Sequence, residues 1–262
     1  MNGTCALCNC SAKLIDSHFL PAALYQEMND PTGPIKHMIV VTPKGTFQSG
    51  EQFHMHLLCQ TCEERFQTNG ENWTLATRYR SDGTFPLRDL LRQSQPSNST
   101  AETSVYEATS IAALEVDRLV YFAASILWRA GITAWTTKFA DAPKIDLPPP
   151  LSTELKDYLL GRRAFPASIF LVVSVASEAQ PMRMLLVPWK VQECPFIKYE
   201  AHIPGLMFEW FINGQSKLDT WSLNNPPKRI VLTDLVRRRL ERVAAKIISA
   251  SERKGGLKKH FS

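Results

Sequence analysis

Two pairs of cysteines stand three residues apart, Cys5 with Cys8 and Cys59 with Cys62, and His18, His37, His54 and His56 all fall in the 50 residues between the pairs. A Cys-x-x-Cys turn places two thiolates on one metal, so the two turns together offer four sulfur ligands. Four thiolates meet the tetrahedral preference of zinc and leave no open position for water or substrate, so such a zinc is structural. The intervening loop is then pinned at its base, and any chemistry must come from something besides that zinc. Six cysteines, four of them in this spacing, fit metal binding in a reducing cytoplasm better than a disulfide framework. Cys10 is a spare thiol beside a filled shell, and Cys194 reads as an ordinary buried cysteine.

The elements that must hold these residues can be read from local pattern. A knuckle at Cys5–Cys8 leads into a short strand around Lys13–Asp16, and Pro21 opens a helix running to Met28. The segment 29–34 breaks that helix, Met38–Val41 is a β-branched strand, and a helix begins just after the second knuckle. Residues 94–100 are polar and rich in breakers, which predicts a linker or exposed loop. Val105–Thr136 is long, apolar and mostly helical, with Trp128 and Trp135 as core. Arg129 within it needs a buried partner, for which Asp117 or Glu115 are candidates. A short helix follows from Ser152 to about Leu160. Ile169–Val175 and Met182–Pro188 read as paired strands, and Leu206–Ile212 as another that turns at Asn213-Gly214. Thr233 caps a last helix whose apolar positions recur at helical spacing.

At 262 residues, with 44% hydrophobic and 21% charged, the chain can bury a sizeable core. No run of 18 apolar residues predicts a membrane span, and the N-terminus has no signal-peptide pattern, so a cytoplasmic protein is expected. The net charge of +5 is concentrated at one end: from Lys228 onward eleven Lys and Arg face three acids, and the rest of the chain is net negative. Arg237, Arg238, Arg239, Arg242 and Lys246 line the polar face of the last helix, and Arg253, Lys254, Lys258 and Lys259 continue the sign. Such a segment is where nucleic-acid phosphate would be held, without choice of sequence, unless the face is merely solvated.

The two Cys-x-x-Cys turns, with Ser17-His18-Phe19-Leu20-Pro21 and Leu57-Leu58-Cys59-Gln60-Thr61-Cys62-Glu63, resemble the HNH nuclease superfamily. The likeness is closer to a group of bacterial proteins that share Ser-His-x-x-Pro, Leu-Leu-Cys-x-x-Cys-Glu and a later Ser-Ile-Leu-Trp-Arg-Ala, here Ser125–Ala130. It covers the N-terminal third and touches the helical core. It implies an α+β protein with a treble-clef (ββα-metal, HNH-like) zinc module over residues 1–92. A larger helical domain with a small antiparallel sheet follows over 101–262. It implies His18 as general base, His54 where the family has the asparagine that orients the base, and Glu63 where a last His or Asn ligates Mg²⁺ or Mn²⁺, with Asp16 as a second carboxylate. Of His54 and His56, only the first is expected to reach the site; His202, His37 and His260 read as surface or loop residues. The pattern is His-His-Glu where the family has His-Asn-His. The expected function is a metal-dependent endonuclease on DNA, with RNA second. The alternatives are a non-catalytic zinc module that binds nucleic acid or protein, and a defence component that cuts only when assembled with a protein partner.

Overall fold

The computed structural model describes all residues except 30–37, 43–44, 50, 138–140, 143, 192–196, 214–221, 225–227 and 253–262. Strand β1 (Asn2–Thr4) precedes the first knuckle and pairs antiparallel with β2 (Ser11–His18). Helix α1 (Ala22–Met28) starts directly after Pro21, whose fixed φ suits the entry to a helix. The hairpin β3 (Met38–Thr42) and β4 (Gly45–Ser49) follows, then β5 (His54–Cys59), which returns antiparallel to β2 and completes a three-stranded sheet. Helix α2 (Gln60–Phe66) leaves β5 at Cys59 and runs through a π-helical turn, Gln67–Glu71, into α3 (Asn72–Thr77).

The π turn has a local cause. A Cβ on Gly70 would sit 2.7 Å from the backbone nitrogen of Phe122 and 3.0 Å from the carbonyl oxygen of Arg118. Only glycine lets this turn lie against the later helix that carries Arg118 and Phe122, and Glu71 at the end of the turn is buried.

Helix α4 (Pro86–Gln93) leads to β6 (Asn98–Ser99) and β7 (Thr103–Glu107). Helix α5 (Val116–Ile132) is buried on nearly every face and is the axis of the core; Trp128 and Trp135 are both fully buried. A small ladder, β8 (Trp135–Thr136) with β9 (Asp141–Ala142), precedes α6 (Pro149–Leu159), which places its prolines in the first turn where no N–H is missed. The remaining strands are β10 (Ile169–Ala176), β11 (Leu186–Lys190), β12 (Ile197–Ile203), β13 (Leu206–Ile212) and β14 (Arg229–Thr233), and helix α7 (Leu235–Glu252) closes the described chain. The Thr233 hydroxyl accepts the Leu235 N–H at 3.2 Å, as a cap should.

These strands build a seven-stranded sheet in the order β11-β12-β13-β10-β14-β7-β6. The fold is mixed α+β, but the expected small antiparallel sheet is corrected: the sheet is large, and β10 with β14 is parallel. Ile169–Val175 does not pair with Met182–Pro188. Strand β10 is apolar and buried on both faces, so it takes the centre between β13 and β14, while β11 lies at an edge beside β12. The hairpin of β13 lies upstream, with β12, around Gly205 at φ +85°. Two further readings change. The first residues of the stretch read as mostly helical from Val105 lie in strand β7, Thr103–Glu107, and the predicted linker ends in the sheet edge β6. One apolar cluster runs from Cys5 and Leu7 through α5 to Val236 and Leu240, so both predicted segments share a core.

Candidate metal centre and histidine face

The first knuckle is closed by its own backbone. Cys5 donates its N–H to the Cys10 carbonyl at 3.0 Å, and Asn9 donates to Cys5 at 2.9 Å. Asn9 takes φ +63°, a conformation asparagine tolerates better than most residues. Cys59 ends β5 and Cys62 lies in the first turn of α2, so strand and helix present the second pair together. The Ala6 N–H bonds to Leu57 at 3.1 Å and joins the knuckles. The sulfurs of Cys5, Cys8, Cys59 and Cys62 all lie within 4.8 Å of one another, close enough to hold a metal ion. Cys8 and Cys59 are 3.8 Å apart. That is far beyond a disulfide, and it matches the edge of about 3.8 Å of a tetrahedron with metal–sulfur bonds near 2.3 Å. The Cys59 N–H points at the Cys5 sulfur at 3.4 Å. Burial, then the neighbouring thiols, push Cys62 far above the usual thiol range. Cys8 goes the other way: against a burial cost, the Cys10 backbone N–H and nearby thiols hold it down at about 6.

From this anchor β2 and β5 run out in register, with His18 opposite His54 and Asp16 opposite His56. A bulge between Ile15 and Asp16 resets the alternation, so Leu14 and Ser17 are both buried while Asp16 is exposed. His54 Nδ1 and Asp16 Oδ1 are 2.7 Å apart, both about half exposed. The His18 ring lies 5.7 Å from that of His54 and 6.5 Å from that of Tyr25. Behind it Phe19 stacks on Trp135 at 5.1 Å, and the Phe19 N–H bonds to Phe53, which fixes the end of the hairpin. Burial lowers the pKa of His18; Asp16 opposes this, and His54 and Arg129 add to the lowering. His18 is therefore neutral near pH 7, with a lone pair to accept a proton. His54 and His56, two apart on β5, lie on one face of the strand, and of the two it is His54 that meets Asp16 and His18.

Glu63 lies beneath the hairpin, 8% exposed. Along β2 the buried Ser17 accepts the Leu58 N–H at 3.2 Å. Arg129 approaches from α5: its Nη2 is 3.7 Å from Glu63, its Nη1 is 2.8 Å from Glu71, and its guanidinium lies 4.6 Å from the centre of the Phe66 ring. This corrects the partners expected for Arg129. Asp117 is twelve residues away, about 18 Å along a helix, and binds Lys228; Glu115 binds Arg118. Burial raises the Glu63 pKa, Arg129 counters it, and Glu71 and Asp16 add to the rise. Glu63 Oε2 has no hydrogen-bond partner among the described residues. Ser17, Glu71 and Phe66 were missed from sequence; the one available signal was an arginine inside an apolar helix.

Arg237, Arg238 and Arg239 of α7 are engaged within the chain. Arg237 pairs with Glu241 at 2.8 Å, Arg238 with Glu102 at 2.7 Å and Asp234 at 3.5 Å, and Arg239 with Glu209. Arg242 is exposed. The Lys246 side chain, together with Arg253, Lys254, Lys258 and Lys259, lies outside the described residues, as do His37, His260 and Cys194. His202 is not a surface residue: it is fully buried in β12, its Nδ1 2.8 Å from the Met184 carbonyl. No described helix is long and apolar enough to cross a membrane. No protein-family model matches the chain, and no curated protein or solved structure matches it either.

Proposed function

We propose that residues 1–92 form a treble-clef module stapled by a structural zinc on Cys5, Cys8, Cys59 and Cys62, and that it hydrolyses phosphodiester bonds in the manner of an HNH-like endonuclease. The observation that carries this reading is the registered pair His18–His54 on a metal-anchored hairpin, with His54 held by Asp16 at 2.7 Å. His18, kept neutral by burial, takes the proton from an attacking water. The Asp16–His54 pair orients the neighbouring ring and the water. The half-exposed Asp16 is a hard-oxygen ligand that would hold Mg²⁺ or Mn²⁺, whereas Glu63 is buried and shares no cluster of metal-binding side chains with it among the described residues. When bound, that cation would offset charge building on the phosphate. DNA is the favoured substrate, with the exposed Arg242 and the basic residues beyond it as phosphate contacts.

Nicking of supercoiled plasmid with Mg²⁺ or Mn²⁺ tests the reading. Loss of a positioned base costs about 10²–10⁴-fold, so His18→Ala abolishes detectable nicking while zinc content and melting stay unchanged. The wild-type rate falls as pH drops through the lowered His18 pKa, because the protonated ring cannot accept a proton. A His18→Ala protein that nicks like wild type ends this reading. One observation favours the non-catalytic alternative: Glu63 is committed to a buried arginine. In that case neither protein nicks DNA, and both bind it.

A further inference from the structure

Each of the three successive arginines that open the basic face of α7 meets a carboxylate of this same chain. Arg239 reaches the nearly buried Glu209, which Lys198 also holds at 2.7 Å. Arg238 is different, because it is half exposed and still closed off. Its Nη2 lies 2.7 Å from Glu102 and 3.5 Å from Asp234. Asp234 is one helical turn away, but Glu102 comes from the distant turn between β6 and β7. That turn is fixed against the entry to α7. The Glu102 carbonyl accepts the Thr233 hydroxyl at 3.0 Å and the Asp234 N–H at 3.3 Å, and its own N–H bonds to the Thr100 hydroxyl at 3.4 Å. An exposed ion pair is ordinarily weakened by the freedom of two long side chains. Here the backbone of one partner is already held in place.

We propose that Glu102 is a built-in competitor for polyanion on α7: it occupies Arg238 in the free protein and is displaced when nucleic-acid phosphate is held there. Carboxylate and phosphate both offer paired oxygens to a guanidinium, so Glu102 takes the donors that a phosphate would use. The fixed turn keeps Glu102 at a high effective concentration beside Arg238. A single phosphate ion cannot compete with such a tethered group. A nucleic acid can, because it brings several phosphates to the face at once, with Arg242 exposed one turn further on. The face is therefore basic by composition yet closed to small anions. The inference rests on the basic C-terminal segment as a phosphate contact and not on hydrolysis.

The full-length protein is titrated against a fluorescein-labelled DNA duplex of mixed sequence, as wild type, as Glu102→Gln, as Arg238→Gln and with both changes. Glutamine keeps the shape of glutamate, and both positions are half exposed, so the fold is retained. Glu102→Gln is expected to bind up to about fivefold tighter, the most that one half-exposed ion pair holds back. Arg238→Gln is expected to cost more affinity in the Glu102→Gln background than in wild type, because only there is the guanidinium free. Additive effects of the two changes would mean that net charge alone matters, and they overturn the competitor. Glu102→Gln protein that binds no tighter than wild type overturns it too. If no form binds DNA, the phosphate reading of the segment and the competitor fail together. Protein that nicks no plasmid but shows the coupling loses the hydrolytic reading and keeps this one.

Discussion

The guanidinium of Arg129 is one positive charge set between two buried carboxylates, and burying ions is costly unless they are paired and hydrogen-bonded. Removing it leaves Glu63 and Glu71 uncompensated beside each other. Arg129→Met therefore loses about 3–5 kcal/mol of unfolding free energy in a denaturant titration. A loss within about 0.5 kcal/mol, as for an ordinary surface change, would mean that water and not the arginine solvates those acids. At this scale the four metal-site cysteines were legible because spacing alone specifies a knuckle. Glu63 was legible as a position but not as a contact. Its partner lies 66 residues further on in the chain, and nothing in either local sequence encodes that meeting. His202 was misplaced for a similar reason, since the alternation of β12 shows which face a residue takes but not whether another layer covers it.

Among the elements, the π turn between α2 and α3 is where the metal module meets the long helix. Alanine at Gly70 would ordinarily gain helix propensity of about 1 kcal/mol. Here the methyl meets backbone atoms, which cannot rotate away, and overpacking of this kind costs about 1–3 kcal/mol. Gly70→Ala is expected to melt a few degrees lower than wild type; a higher melting temperature would show that α5 shifts to accept the methyl. Short elements with strong local signals were readable: the Pro21 entry to α1, the strand at Met38–Thr42 and the cap at Thr233. Strand pairing was not. Apolar runs such as Ile169–Ala176 identify a buried strand, yet which neighbours it takes depends on β13 and β14, distant in sequence and equally apolar. Strand β12, with Lys198, Glu200 and His202 on one face, lacked the usual composition and went unseen.

For the molecule as a whole, acid sensitivity should trace to buried histidine. Burial lowers His202 to about 4, so between there and its ordinary 6.5 the unfolded chain binds a proton that the folded chain refuses. Stability from this group is complete above about pH 6.5 and is lost as pH falls toward about 4, by up to about 1.4 kcal/mol per pH unit. Melting curves between pH 7 and 5 should show this slope, and His202→Gln should flatten it; an identical slope in the variant would assign the loss to other groups. The order of the large sheet carries one more consequence, for synthesis. The Thr103 and Thr233 hydroxyls meet at 2.8 Å across 130 residues, and β14 is the seam that joins β7 and β6 to the other four strands. The cysteine knuckles need only the first 62 residues and can come together early, while the ribosome is still supplying the rest. Strand β7, by contrast, waits with an unpaired edge while the residues between Glu107 and Arg229, nearly half of the chain, are made. That interval of high contact order, not the finished protein, is when this chain is most exposed to aggregation and most dependent on chaperones.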